Sequence, residues 1–217
     1  MSMNNTLANL LASTHTAFGN ARLNFGAPVD AIDEALAGLD SLDADAAASK
    51  RPSKAHVAFV TRHMNDGGTQ HGDANRLRQD ITASADQLPW MSSFYPEDGY
   101  ADIGRFYDGY AFAMAAGDPV YGDESVWQSR EVGLSYTVQA PHTLYPEHAH
   151  TAVELYYVVS GKALWKRGSE PWVARYPGDI ILHETGMRHA MMTGDEPLVA
   201  CAIWISHTQS RVVIVRS

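Results

Sequence analysis

The stretch HAHTAVELY, residues 148–156, says most about the fold of this chain of 217 residues. His148 and His150 stand two positions apart, and so do Glu154 and Tyr156. Side chains two positions apart on a β-strand point to the same face, so both members of each pair can reach one point. With a turn at residues 151–153, the four polar groups converge on a single cavity. The stretch therefore predicts two neighbouring strands that share a polar site.

Further short β-type segments surround this stretch. From about Val132 onward, β-branched and aromatic residues dominate, and Gly, Pro, Asp and Ser separate the runs. So many short strands at close spacing predict a sandwich or a barrel. The candidate strands are EVGLSYTVQ (131–139), AVELYYVVS (152–160), KALWKRG (162–168), EPWVARY (170–176), GDIILHE (178–184), RHAMMTG (188–194), PLVACAIWIS (197–206) and RVVIVR (211–216).

The first hundred residues have a helical period instead. Apolar residues recur at the spacing of one helix face, beginning with Leu7, Leu10, Leu11, Phe18 and Ala21. Ser53 can cap a later helix. We therefore expect a helical N-terminal region, residues 1–98, that packs on a barrel formed by residues 99–217. Residues 92–125, rich in Gly and Tyr, are the best candidates for a lid.

Charge and composition exclude several classes of protein. The formal net charge is −9, from 16 basic and 25 acidic residues, and Lys and Arg form no cluster. This balance argues against a nucleic-acid partner. No apolar run approaches the roughly 18 residues of a membrane span, and the N-terminus lacks the features of a secretory signal. We expect a cytoplasmic protein with neither a nucleic-acid nor a membrane partner.

Two longer patterns extend the central stretch. The spacing H-x-H-x3-E-x6-G, which starts at His148, matches the first motif of the cupin superfamily. The spacing G-x5-E-x-G-x2-H, which ends at His189, resembles the second motif. Over about residues 130–206 the chain thus resembles the cupins. The resemblance implies a mainly β fold, a double-stranded β-helix or jelly-roll barrel, preceded here by the α-helical N-terminal region.

The cupin resemblance also implies a single-metal site with the ligands His148, His150, Glu154 and His189. The chain departs from the cupin pattern at turns rather than at ligands, since His142, Glu184 and Thr193 replace the usual Gly, Pro and Asn. Three imidazoles and one carboxylate suit one divalent transition metal ion, Zn, Fe or Mn, with Co and Ni as further candidates. They disfavour an all-oxygen Mg or Ca site.

Tyr156 either fills the barrel interior or faces the metal. If it faces the metal, the charge of the ion favours the phenolate and makes Tyr156 a general base. A narrower resemblance supports that role. The pattern HxHxxxExY, with Tyr145 three residues before the first histidine and Trp204 fifteen residues after the last ligand, is similar to the cupin-type dimethylsulfoniopropionate (DMSP) lyases. It implies metal-dependent β-elimination of DMSP to dimethyl sulfide and acrylate.

From this resemblance we take Tyr156 and Tyr145 as the candidate catalytic residues. The substrate is a small sulfonium carboxylate, whose cation should prefer aromatic faces. The expected substrate contacts are Tyr136, Trp204, Tyr145 and His142, the last of which precedes a strand and can line the pocket mouth. The alternation of side chains along a strand does not determine whether His183 points into the barrel or away from it, because a turn separates His183 from His189.

Two other functions use the same residues. Three histidines and a glutamate also serve oxygen activation in cupins, so an iron-dependent dioxygenase is the alternative enzyme. A non-catalytic cupin that senses a small molecule is the alternative outside enzymes. An uncovered edge strand such as RVVIVR would favour a homodimer, whereas a helical arm over that edge would leave a monomer.

Overall fold

The computed structural model describes residues 3–47, 52–66, 72–92, 104–118 and 125–215. Its helices are α1 (Met3–Ala21), α2 (Val29–Asp40), α3 (Lys54–Asp66), α4 (Gly72–Ala83) and α5 (Gly104–Asp108), with a 3-10 turn at Ala44–Ala46. Its strands are β1 (Trp90–Met91), β2 (Tyr110–Gly117), β3 (Trp127–Gln128), β4 (Gly133–Gln139), β5 (Leu144–Ala149), β6 (Glu154–Ser160), β7 (Ala163–Arg167), β8 (Val173–Arg175), β9 (Ile180–His183), β10 (His189–Thr193), β11 (Leu198–Trp204) and β12 (Val213–Ile214).

The strands form two facing sheets. One has the order β1-β2-β4-β11-β6-β9, with β3 beside β2, and the other has the order β12-β5-β10-β7-β8. Strands β4, β6, β9 and β11 thus lie in the first sheet and β5, β7, β8 and β10 in the second, which is the arrangement of an eight-stranded jelly roll, the barrel of the cupins. This topology confirms the predicted fold class, a mainly β cupin barrel preceded by helices. β12 lies at the edge of the second sheet, and dimerisation through it stays a prediction.

Strand β6 shows how the barrel is built between two apolar layers. Every residue of β6 is buried, but alternate side chains enter different clusters. Leu155 and Tyr157 point to the helices, where Phe18 of α1 packs on Tyr157 with ring centroids 5.6 Å apart. Tyr156 and Val158 point into the barrel. The seven-stranded sheet thus separates a helix-side core from the barrel interior.

The N-terminal helices contribute directly to the helix-side core. Side chains from α1, α2, α3 and α4 belong to one buried cluster with the outward side chains of β4, β6 and β11. Ser53 caps α3 as expected, since its Oγ accepts from the backbone N–H of His56 at 3.2 Å. The predicted domain boundary at residue 98 lies outside the described residues, and the division into two domains stays a prediction.

Strand β2 was not among the predicted strands. Its sequence YAFAMAAG is rich in alanine and buried almost throughout, so it lacks both β-branched residues and alternation. The strand pairs with β4 along nearly its whole length. Together with α5 it occupies the described part of the candidate lid; residues 93–103 and 119–124 of that segment lie outside the described residues.

Candidate metal centre and active site

Strand register places the predicted site residues at adjacent strand ends. His189, the first residue of β10, pairs with His148 of β5. Glu154, the first residue of β6, pairs with Trp204 at the end of β11 and with His183 at the end of β9. Residues that pair directly on adjacent strands point to the same side of a sheet. The polar groups therefore meet inside the barrel, where His189 and Glu154 are only 0% and 3% exposed.

His150, Glu154 and His189 form a compact buried group whose ligand atoms all lie within 4.8 Å of one another. Nε2 of His150 is 3.1 Å from Oε2 of Glu154. Nε2 of His189 is 3.3 Å from the same oxygen. The fourth predicted ligand, His148, lies beside this group, with its ring centroid 4.0 Å from that of His189 and 6.4 Å from that of His150.

The backbone holds the three predicted histidine ligands in one tautomer. In each ring Nδ1 lies 2.8–2.9 Å from a carbonyl oxygen two residues away. A carbonyl only accepts, so each Nδ1 carries a proton and donates it, and in the neutral ring Nε2 keeps its lone pair. The same anchoring is typical of metal-binding imidazoles. The pairs are His148 with Pro146, His150 with Ala152 and His189 with Met187.

In this tautomer, hydrogen-bond acceptors face one another, and a positive charge between them would be stabilising. The lone pairs of His150 and His189 both face Oε2 of Glu154, which is itself an acceptor. Such acceptors repel one another unless a cation, either a metal ion or a proton on a ring, lies among them. Within the described part of the chain, the buried Nε2 of His189 has no hydrogen-bond partner. The donor set therefore fits a divalent transition metal ion.

The ionisation of the group follows from burial and charge. Burial would raise the pKa of Glu154, but the charge of His150 and contacts with the surrounding imidazoles hold that pKa well below its ordinary value. Burial lowers the pKa of His148 well below its ordinary value, and the neighbouring His189 adds to this effect. Burial also lowers the pKa of His183 to about 3. Burial would lower the pKa of His150, but the charge of Glu154 and the hydrogen bond with it raise that pKa above its ordinary value. At neutral pH the site thus contains a carboxylate beside the neutral rings of His148 and His183.

Aromatic side chains line a narrow pocket that opens onto this group. Tyr145 stacks on His148 with ring centroids 3.9 Å apart and an interplanar angle of 9°. Nε1 of Trp204 donates to Oε1 of Glu154 at 2.8 Å, and its ring lies 4.8 Å from that of His150. The lining also includes Tyr156, Tyr110, Met114, Ser135, Thr137 and Val212.

Three phenols converge on the pocket. Burial raises the pKa of Tyr110, Tyr145 and Tyr156 well above the ordinary value, and the negative charge of Glu154 raises it further. A cation beside Glu154 opposes the second effect. The hydroxyl groups are therefore protonated in the metal-free site, and the pocket presents aromatic faces next to a buried carboxylate.

Tyr110 and His183 belong to the site but were outside the predicted set. Tyr110 comes from β2, the alanine-rich strand that has no sequence alternation. His183 ends β9, and its Nδ1 lies 3.1 Å from Oε2 of Glu154 while its ring stacks on His189 at 3.8 Å. A prediction that β6 pairs with β9 would have identified His183, because the residue opposite Glu154 must point inward as well.

Two predicted substrate contacts require correction. Tyr136 points from β4 to the helices, where its hydroxyl lies 2.7 Å from Oγ1 of Thr14 in α1, so it is outside the pocket. His142 occupies the turn before β5 with a positive φ of 54°. Its side chain is 72% exposed and lies 3.3 Å from Asp195. Tyr136 lies outside the pocket because it is on the helix-facing side of β4. His142 lies outside it because the turn before β5 directs its side chain to the surface.

Comparison with known proteins places the chain in a family. The fold and the buried His–Glu group define a cupin with a candidate metal centre. Residues 32–200 match the model of the dimethylsulfoniopropionate lyase family. Because this match covers most of the chain, the protein belongs to the DMSP lyase family, a family of carbon–sulfur lyases.

Individual relatives agree with this assignment. The DMSP lyase DddQ of Ruegeria pomeroyi is 33% identical over 81 residues, 37% of this chain and 40% of that protein. A putative DMSP lyase, DddL of Cereibacter sphaeroides, is 26% identical over 170 residues, 75% of this chain and 65% of that protein. The alignments thus span less than two thirds of either relative.

Solved structures share the fold. One from a study of the DMSP lyases RdDddP and RnDddQII has a TM-score of 0.77 at 21% identity and covers 99% of this chain and 100% of its own. DddQ from Ruegeria pomeroyi has a TM-score of 0.65 at 24% identity, with coverages of 92% and 96%. Among the described residues, no helix combines the length and apolarity needed to cross a membrane.

Proposed function

We propose that this protein is a metal-dependent DMSP lyase that cleaves its substrate to dimethyl sulfide and acrylate. The observation that carries the proposal is the buried group of His150, Glu154 and His189, in which two imidazole lone pairs face one carboxylate oxygen beside an aromatic pocket. Membership of the DMSP lyase family supports the substrate and the type of reaction.

The proposed metal ligands are His148, His150, Glu154 and His189. The last three already lie within 4.8 Å of one another. His148 shares their backbone-anchored tautomer and packs against the ring of His189. The donor set suits Zn, Fe or Mn, with Co and Ni as further candidates. When bound, such an ion supplies Lewis acidity to the substrate carboxylate and thereby acidifies the adjacent carbon.

Tyr156 is the proposed general base. It stands two positions after Glu154 on β6, so both side chains share the interior face of the strand, and it lines the pocket. A cation beside Glu154 would favour the phenolate of Tyr156 over the phenol. The phenolate oxygen takes the α-proton of the substrate, and the electron pair of that C–H bond forms the new double bond. The β-carbon–sulfur bond breaks with its electron pair on sulfur, so neutral dimethyl sulfide leaves and acrylate remains.

Aromatic faces are proposed to bind the sulfonium group. Tyr145 and Trp204 lie against different histidines, since Tyr145 stacks on His148 and Trp204 lies against His150. Tyr110 adds a third ring, 5.1 Å from that of Tyr145. A cation held on such faces, away from bulk water, gains about 0.5–2 kcal/mol per contact. Tyr145 also stays a proposed catalytic residue, because its ring lies over a proposed ligand.

The test is headspace detection of dimethyl sulfide from purified protein loaded with Zn, Fe, Mn, Co or Ni and supplied with DMSP. We expect dimethyl sulfide and acrylate in equal amounts, with the same yield under strictly anaerobic conditions. Oxygen uptake coupled to turnover would support the dioxygenase instead. Ion binding without product from any of the five metals would overturn the lyase and leave the metal centre standing.

A further inference from the structure

His183 lies in the candidate metal centre but turns a different ring nitrogen toward Glu154 than His150 and His189 do. Its Nε2 lies 3.2 Å from Nε1 of Trp165, and its Nδ1 lies 3.1 Å from Oε2 of Glu154. All three side chains are buried, at 1% exposure for Trp165, 0% for His183 and 3% for Glu154. The three groups therefore form a chain of contacts shielded from water.

The chemistry of indole determines the direction of that chain. An indole N–H only donates, so Nε2 of His183 must accept and cannot carry a proton. The proton of the neutral ring is then on Nδ1, which donates to Oε2 of Glu154. In His150 and His189 the protonated Nδ1 faces a backbone carbonyl, and the lone pair of Nε2 faces the glutamate. His183 thus presents an N–H where its two neighbours present lone pairs.

We infer that Trp165 and His183 act as positioning residues, which hold Glu154 in place as a metal ligand and keep His183 itself out of the ligand set. The inference rests on the proposed metal centre. Trp204 holds Oε1 of Glu154 from one side at 2.8 Å, and His183 holds Oε2 from the other. With both oxygens hydrogen-bonded, the carboxylate cannot rotate when the ion enters or leaves.

Trp165 also helps to orient the ring of His183 through aromatic packing. Its ring packs edge-on to Tyr156 with centroids 5.2 Å apart, and Tyr156 packs edge-on to His183 at 5.6 Å. These contacts fix the plane of the His183 ring. Without the indole N–H, the ring can take the other tautomer, in which Nδ1 turns a lone pair toward the already negative Glu154.

A matched pair of substitutions isolates the N–H of His183. His183→Asn keeps an N–H group at the position of Nδ1, whereas His183→Leu has nearly the same size and no donor. Trp165→Phe removes the indole N–H and keeps an aromatic ring. His15→Asn, at a half-buried residue of α1 far along the chain from the site, and Trp172→Phe, at an exposed residue before β8, serve as controls of the same kind.

The readout is Co(II) binding by the whole protein, measured as a dissociation constant by chelator competition and as the visible absorption spectrum of the bound ion. We expect His183→Leu and Trp165→Phe to weaken Co(II) binding by about 10- to 100-fold and to change the spectrum. His183→Asn should stay within about threefold of the parent, as should both controls. Thermal unfolding of each variant verifies that it is folded.

Three outcomes would overturn the inference. Unchanged affinity and spectrum in folded His183→Leu and Trp165→Phe would remove the positioning role. An equal loss in His183→Asn and His183→Leu would make the His183 ring itself a ligand. A parent protein that binds no Co(II) would remove the metal centre together with the inference. A parent that binds Co(II) but releases no dimethyl sulfide with any metal affects only the lyase proposal.

Discussion

The two oxygens of Glu154 have different surroundings, and this difference organises the site at the scale of single residues. Oε1 accepts a hydrogen bond from Trp204, whereas Oε2 faces His150, His183 and His189 within 3.1–3.3 Å. Both oxygens are therefore held by a hydrogen bond, and Oε2 is in addition the natural point for a cation. Substitutions around Glu154 should separate metal binding from proton transfer.

Replacing Tyr156 by Phe should remove catalysis and leave the metal. The phenol is the proposed base, and losing a general base typically costs about 10²–10⁴-fold in rate. The measurements are dimethyl sulfide release and metal content after dialysis. Tyr157→Phe is the matched control, because the neighbouring side chain points to the helices and touches Phe18. Full activity in Tyr156→Phe would reject the base assignment.

We expect Trp204 to support metal binding through its Nε1–H, which holds Glu154, and substrate binding through the face of its indole ring. Trp204→Phe removes the indole N–H but keeps an aromatic face, so metal affinity should fall about 10-fold while KM changes little. Trp204→Leu removes the face as well and should also raise KM. Chelator competition and steady-state kinetics measure the two effects. Equal KM values in both variants would remove Trp204 from the substrate site.

At the scale of elements, the turns decide whether the strands can meet in this register. Gly161, the last residue of the first cupin motif, has φ +77°, and a Cβ there would overlap the carbonyl oxygen of Pro197. The glycine thus lets the β6–β7 turn pass directly under the start of β11. The β6–β11 register brings Glu154 opposite Trp204. A turn that keeps β6 and β11 in this register therefore also helps to position these two site residues.

Gly161→Ala should therefore destabilise the barrel. A left-handed conformation costs a non-glycine residue about 1–2 kcal/mol, and the backbone overlap adds to it. A total of about 3 kcal/mol corresponds to a fall in Tm of roughly 6–12 °C for a chain of this size. Gly168→Ala is the control, since Gly168 has φ +50° but open space around it. Equal Tm values for the two variants would contradict the steric argument.

Strand β2 shows where prediction of elements from sequence reaches its limit. Strands β4, β6 and β11 are also buried on both faces, yet their β-branched and aromatic residues still identify them. In YAFAMAAG small residues fill the space between neighbouring strands, and alanine has no preference for strands. The pocket residue Tyr110 was missed with its strand, because its role depends on the pairing of β2 with β4.

At the scale of the whole molecule, the helices and the barrel share one hydrophobic core. Phe18 is fully buried between α1 and Tyr157, and Thr14 meets the hydroxyl of Tyr136 at 2.7 Å. Gln87, after α4, donates to Oγ1 of Thr6 at 2.7 Å and so ties the helices to each other. We propose that the helical region and the barrel unfold together rather than as two independent domains.

Phe18→Ala tests this coupling. A buried Phe→Ala change typically costs about 3–5 kcal/mol, so the Tm should fall by roughly 6–20 °C. Helical circular dichroism and tryptophan fluorescence follow the helices and the β-sheets, since four of the five tryptophans lie in residues 99–217 and the fifth, Trp90, lies in β1 of the seven-stranded sheet. The two curves should shift together and coincide. A loss of helix that precedes the fluorescence change would support separate domains.

The sequence by itself determined the jelly-roll strands from β4 onward, the helical N-terminal region and the meeting of His150, Glu154 and His189. These follow from local periodicity and from motif spacing, which depend on neighbouring residues. Only the tertiary structure decided that Tyr136 faces the helices, that His142 lies outside the pocket and that Tyr110 and His183 belong to it. The alternation of side chains along a strand tells which of them share a face. Only the packing of the sheet between the helices and the barrel interior tells which face points to the helices and which points to the pocket.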